Sequence, residues 1–253
     1  MAKLTLEIVS QSLSRRVPIT AIIPEGEIPP NGFPCLYLLH GLTGNHSDWS
    51  NNTNIQILSN LYQIAFVMPS GDNKFYLDHP DSLDFYSAYI GQELINITRD
   101  LLPLSVRRQD TWIGGLSMGG YGALINGLKY NQNFSAIFAF SSALLTNHLP
   151  EIVKYDFEHL QNVSYLTSIF GDLDKVKGSD KDVLYYLSKL ESEDIPQIYL
   201  SCGDQDMFTQ LNRDLHQYLK SLAIGHVYHE IPGGHDWETW QSMIESALSY
   251  KCK

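Results

Sequence analysis

An α/β fold, with a mostly parallel central sheet and helices on both of its faces, is what this sequence predicts. Three observations predict it. Near-continuous apolar runs recur along the chain, as strands covered on both faces require. Stretches with apolar residues at three- and four-residue steps lie between those runs. The 253 residues, 43% of them hydrophobic, suffice for one large core in a single domain, residues 1–253.

Taken in order, "MAKLTLEIVS" alternates apolar and polar residues and carries charges at Lys3 and Glu7. It therefore reads as a strand and not as the apolar core of a signal peptide. Leu4 to Val9 and Val17 to Ile23 form a hairpin-like pair, and "EGEIPPNG" (Glu25 to Gly32) is a turn-rich connection. "FPCLYLLHG" is the first doubly covered strand. "IAFVMP" (Ile64 to Pro69), "TWIGG", "SAIFAFSS" (Ser135 to Ser142) and "QIYLSCG" (Gln197 to Gly203) repeat its signature. "HVYHEIPGG" (His226 to Gly234) is a last, more polar strand.

The helical patterns fall between them. "DFYSAYIGQELINITRDLLP" (Asp84 to Pro103) stops at a proline. Gly119 to Tyr130, Asp206 to Ile224 and Asp236 to Tyr250 complete the alternation. Residues 144–193 break the rhythm, being longer than one βα unit needs and holding the polar patch "FGDLDKVKGSDKD". They read as an excursion over the sheet that shapes a substrate pocket.

Composition narrows the function. A net charge of −11 argues against nucleic acid and against an anionic membrane surface as partners. No run approaches the length that spans a bilayer. Cys35, Cys202 and Cys252 are scattered and odd in number, which suggests neither a disulfide framework nor a clustered metal site. A cytoplasmic location follows, and the Asn-x-Ser/Thr sites at Asn45 and Asn96 read as chance matches.

The chemistry concentrates in "TWIGGLSMGGYGAL", Thr111 to Leu124, where five glycines surround Ser117. Gly115-Leu116-Ser117-Met118-Gly119 fits G-x-S-x-G between an expected strand and an expected helix, the context in which the pattern marks a nucleophile elbow. Such a turn holds the serine in a strained conformation with its hydroxyl above the sheet. Side chains at Gly115 and Gly119 would collide there, and Gly120 and Gly122 would let the following helix pack closely.

A serine hydroxyl needs a base. Of the late histidines, His216 falls in a helix and His226 and His229 in a strand. Only His235, in "PGGHDWETW", sits on a glycine-freed loop able to swing over the elbow. The acid comes from "YLSCGDQDMF", which offers Asp204 and Asp206. Reach and direction alone separate the two, chain position favours Asp206, and a turn-forming role is the plainer reading of Asp204. Asp-x-Asp beside His235 and Asp236 could also suggest a metal site, but no further ligand cluster supports one.

Charge that builds on a carbonyl oxygen calls for preorganised N–H donors. These are expected from Met118, which follows the serine, and from Leu42 in the loop His40-Gly41-Leu42-Thr43-Gly44. His40 reads as a brace for that loop. Trp49, Tyr76, Tyr121 and Trp237 are candidate walls of the substrate pocket, and Lys74 or Asp78 candidates for leaving-group recognition.

"LYLLHGLTGNHSDW", "VMPS", "LDFYSAYIGQEL", "GLSMGGYGAL", "CGDQDMF" and "GGHDWETW", in this order, resemble the esterase D-like branch of serine hydrolases, and within it the small bacterial tributyrin and acetyl-ester esterases. The resemblance covers nearly the whole chain. It implies an α/β-hydrolase fold, Ser117, Asp206 and His235 as catalytic residues, Leu42 and Met118 as oxyanion donors, no cofactor and no metal. The implied substrate is a small-molecule ester with a short acyl chain, acetyl to butyryl, and assembly into a homo-oligomer is left open. S-formylglutathione hydrolases are similar at the elbow but usually carry His where this chain has Tyr121 and Cys where it has Gly44. Mycolyltransferases share the fold but are secreted. Feruloyl and acetylxylan esterases use the same machinery. A binding module on the same fold should lack serine, acid or base, and this chain lacks none.

Overall fold

The computed structural model describes residues 1–147, 149 and 162–252. Its centre is an eight-stranded sheet. In chain order the strands are β1 (Ala2–Ser10), β2 (Arg15–Ile23), β3 (Cys35–Leu39) and β4 (Ala65–Pro69), then a two-residue pair, β5 (Asp78–His79) and β6 (Asp84–Phe85). They continue with β7 (Thr111–Leu116), β8 (Ala136–Phe140), β9 (Gln197–Gly203) and β10 (His226–Ile231). The order across the sheet is β1-β2-β4-β3-β7-β8-β9-β10, with β5 and β6 paired separately. β1 and β2 run antiparallel to each other, and β2 runs antiparallel to β4. All the remaining pairs of the eight-stranded sheet are parallel, and β5 and β6 pair antiparallel.

The helices are α1 (Asp48–Asn52), α2 (Ile55–Tyr62), α3 (Tyr86–Ala88), α4 (Leu94–Leu101), α5 (Met118–Lys129), α6 (Val163–Phe170), α7 (Val183–Leu187), α8 (Thr209–Ser221) and α9 (Trp237–Lys251). The period of two along each strand divides the core between two faces. In β3, Tyr37 and Leu39 enter a core shared with Leu94 of α4, Leu124 of α5 and Leu215 of α8. Leu36 and Leu38 enter the opposite core, with Ile55 of α2 and Met243 and Ile244 of α9. Every residue of β3, β4, β7 and β8 is buried. That is why these segments read as unbroken apolar runs.

The sequence expectations hold for the sheet and differ in detail elsewhere. Asp84 does not start a helix, because it pairs with His79 across the β5–β6 ladder. Helical structure begins at Tyr86, widens into a π turn at Tyr89–Glu93 and resumes as α4. It ends where Leu102 turns extended ahead of Pro103, as the residue before a proline prefers. Helices α1 and α2 lie in a stretch whose sequence pattern announced neither.

Parallel strands bring their C-terminal ends to one edge of the sheet, where an open α/β sheet places its ligands. β3, β7, β9 and β10 deliver there the loops that carry Leu42, Ser117, Asp206 and His235. In the excursion, α6 and α7 bury Leu166, Phe170, Val183 and Leu187. Its residues 148 and 150–161 lie outside the described ones. No helix among the described residues is long and apolar enough to cross a membrane.

Candidate active site

The elbow is set by close packing. Ser117 follows β7 directly, with φ 55° and ψ −119°, a region that side chains rarely adopt. The surroundings satisfy its backbone. Ser117 N–H donates to Phe140 O at 2.9 Å, and Ser117 O accepts from Tyr121 N–H and Ala143 N–H, both at 3.1 Å. A Cβ on Gly115 would stand 2.5 Å from Gly119 O, and one on Gly119 would stand 2.5 Å from Leu39 O. Both contacts are with backbone, which cannot swing aside. The turn therefore takes glycine on both sides of the serine.

From that turn the Ser117 hydroxyl reaches His235. Ser117 Oγ donates to His235 Nε2 at 3.0 Å, and His235 Nδ1 donates to Asp206 Oδ2 at 2.9 Å. The Asp206 carboxylate is fully shielded from solvent, whereas the imidazole keeps 19% of its surface exposed. The second carboxylate oxygen of Asp206 accepts Phe208 N–H at 2.8 Å. Edge-on rings at Phe208 and Trp240, with centroids 5.2 and 4.9 Å from that of His235, hold the imidazole plane.

Asp204 does something different. It is exposed, and its Oδ1 accepts Gly233 N–H at 3.1 Å, while Gln205 N–H donates to Gly233 O at 3.0 Å. It ties the loop after β9 to the loop that carries His235. A Cβ on Gly203 would come 2.3 Å from Gly233 O, so the two loops meet backbone to backbone. Asp236 then caps α9 by accepting Thr239 N–H at 2.9 Å.

The loop after β3 closes through Gly44 N–H to Gly41 O at 3.2 Å, with Thr43 at φ 65°. Asn73 Oδ1 accepts Thr43 N–H at 2.8 Å, and Asn73 O accepts the Tyr165 hydroxyl of α6 at 2.7 Å. Asn73 carried no signal in the sequence beyond its place in a polar loop. His40 is 1% exposed and spans the base of the loop. Its Nδ1–H donates to Gly41 O at 2.6 Å, and its Nε2 accepts Gly71 N–H at 2.8 Å. Burial lowers its pKa and keeps it neutral. Met118 opens α5, so its N–H belongs to the first turn, where backbone donors have no partner within the helix.

A cavity of about 250 Å³ lies beside Ser117, lined by Gly41, Leu42, Thr43, Gly44, Asp48, Leu116, Trp237 and Trp240. Of the four aromatic residues expected on its wall, Trp237 is there and three are not. Trp49 is 1% exposed, donates its indole N–H to Leu39 O at 2.9 Å and backs onto Trp237. Tyr76 is buried and donates to His40 O at 2.9 Å. Tyr121 is buried and donates to Lys181 O. Each of these rings is consumed by the core, with its polar tip satisfied by a backbone carbonyl. Lys74 pairs with Asp84 at 3.5 Å and Asp78 with Lys129 of α5 at 3.0 Å, and neither lines the cavity. Residues 162–193 supply none of the lining.

Comparison with known proteins identifies the family. The family model described as "Putative esterase" matches residues 10–250. An acetyl esterase of Caldicellulosiruptor saccharolyticus is 41% identical over 100% of this chain and 99% of its own length. Among solved structures, the substrate-bound fluorophosphonate-binding serine hydrolase F of Staphylococcus aureus superposes with a TM-score of 0.87 at 29% identity. That match covers 100% of this chain and 98% of the other. The apoenzyme of an S-formylglutathione hydrolase from the same organism also gives 0.87 at 29% identity, over 100% and 99% of the two chains. An eight-stranded α/β-hydrolase sheet and a match along almost its full length place this chain in the esterase family, as a carboxylic ester hydrolase.

Proposed function

We propose that the chain is a serine carboxylesterase for short acyl chains, working through an acyl-enzyme. The observation that carries this reading is the continuous hydrogen-bonded run from Asp206 through His235 to Ser117 beside a cavity of about 250 Å³. That volume lies below the roughly 300–1,000 Å³ usual for drug-sized ligands, which suits an acetyl to butyryl group.

Ser117 Oγ attacks the ester carbonyl carbon as its proton passes to His235 Nε2. Asp206, hydrogen-bonded to Nδ1–H, keeps the ring in the productive tautomer and stabilises the imidazolium. The oxyanion rests on the N–H groups of Met118 and Leu42, where one donor is worth about 10²–10³ in rate. Collapse of this intermediate breaks the bond to the alcohol, which leaves with the proton from Nε2. Water then attacks the acyl-enzyme, gives its proton to the same nitrogen and releases the acid and Ser117. These steps use side chains and backbone alone. The 41% identity to an acetyl esterase supports the short-chain preference.

A fluorophosphonate probe should label Ser117, and Ser117→Ala should abolish labelling and lower kcat by roughly 10⁵–10⁶. Across nitrophenyl esters of increasing length, kcat/KM should peak between acetyl and butyryl. Labelling that survives Ser117→Ala, or a peak at long chains, would overturn the respective part of the reading.

A further inference from the structure

Asp48, in α1, is the one charged side chain that lines the cavity beside Ser117 among the described residues. Its carboxylate stands over the loop after β3, so that a Cβ added to Gly44 would lie 2.2 Å from Asp48 Oδ2. Among the described residues no lysine or arginine forms an ion pair with it. Lys3, which reaches the same helix, gives its ammonium to Asn51 Oδ1 at 3.2 Å. The two imidazoles close enough to feel the carboxylate do not balance it either. His40 is fixed as the neutral tautomer by its two backbone partners. His46 contacts Thr20 Oγ1 at 2.7 Å, and burial lowers its pKa as well. The cavity therefore carries one uncompensated negative charge, within a protein whose net charge is −11.

We propose that Asp48 is a specificity-determining residue that makes the site discriminate against carboxylate-bearing esters in favour of neutral and hydroxyl-bearing ones. The proposal rests on the reading of Ser117 as nucleophile. Two like charges within a partly dehydrated cleft repel strongly enough, at an effective dielectric constant of about 20, to cost roughly tenfold in kcat/KM after screening. A hydroxyl in the same position can instead donate to the free carboxylate.

The test uses two matched pairs. 4-Acetoxybenzamide against 4-acetoxybenzoate varies charge on the leaving group. 4-Nitrophenyl butyrate against mono-4-nitrophenyl succinate varies it on the acyl group. In the native enzyme at low ionic strength, the neutral member should lead by roughly tenfold in at least one pair, and the lead should shrink as ionic strength rises to about 0.5 M. Asp48→Asn should bring that ratio to within about threefold of unity while turnover of the neutral ester persists. Equal rates within both native pairs, a lead insensitive to salt, or a ratio unchanged in Asp48→Asn would each overturn the proposal. The salt series needs no substituted protein, so it decides the matter even if Asp48→Asn folds poorly. Failure of the native enzyme to turn over either neutral ester would overturn the esterase reading itself, a distinguishable result.

Discussion

At the scale of single residues, the two acids of "GDQD" divide their labour by burial. Asp206 is enclosed, points one oxygen at His235 and satisfies the other on Phe208 N–H. Asp204 is exposed and fastens Gly233. Replacing Asp206 by Asn presents an amide where the imidazole N–H needs an acceptor and favours the wrong tautomer, so kcat should fall by roughly 10³–10⁴. Asp204→Asn keeps an acceptor oxygen for Gly233 N–H, and its kcat should stay within about tenfold of native. Steady-state rates on a nitrophenyl acetate decide this, and a larger loss for Asp204→Asn would reverse the assignment.

At the scale of elements, legibility followed locality. The elbow could be read because its residues form one contiguous motif: Gly115 faces Gly119 O inside the turn, while Gly119 faces Leu39 O of the neighbouring β3, and five consecutive positions announce both constraints. His235 could be read because a glycine-freed loop after a strand has few competing uses. Chain position favours Asp206 without deciding the matter, since both aspartates reach the right region and tertiary burial separates them. Trp49, Tyr76 and Tyr121 misled for a related reason. Aromatic residues in loops near a nucleophile satisfy the same sequence pattern whether they face the substrate or fill the core beneath it. α1 and α2 were illegible because five and eight residues give too few turns for a helical period to stand out. Asn73 is the clearest omission, a loop residue whose use depends wholly on what lies across from it. By accepting Thr43 N–H it holds a positive-φ residue next to Leu42, and by accepting from Tyr165 it is itself held by α6. Asn73→Ala should therefore lower kcat by roughly tenfold, with KM within about twofold, because a misaligned oxyanion donor acts on the transition state. Tyr165→Phe should produce a weaker loss of the same kind. An equal rise in KM instead would assign Asn73 to substrate binding.

At the scale of the whole molecule, the antiparallel hairpin β1–β2 lies at the sheet edge farthest from β10, and its turn is clamped by a residue distant in sequence. Glu93, at the end of the π turn, accepts the Ser10 hydroxyl at 2.7 Å and the N–H groups of Gln11 and Ser12 at 2.6 and 3.1 Å. Burial by itself would raise the pKa of this carboxyl, but the hydrogen bonds from Ser10, Ser12 and Gln11 outweigh it and leave the pKa below the usual glutamate value of 4.5. A carboxyl whose pKa is depressed on folding stabilises the native state above its unfolded pKa, and that contribution is lost as pH falls through the folded value. Glu93→Ala should then lower the unfolding free energy by about 1–2 kcal/mol at pH 7, allowing for the partial exposure of the group. The gap between native and variant should narrow as pH falls below 4.5 and then through the lower folded-state pKa, where the native carboxyl takes up its proton. Urea unfolding at neutral pH and across that acid range measures it. None of these contacts involves Ser117, Asp206 or His235, so kcat on short esters should be unchanged in the folded variant. A gap that widens in acid would mean that the turn is held by something other than this carboxylate.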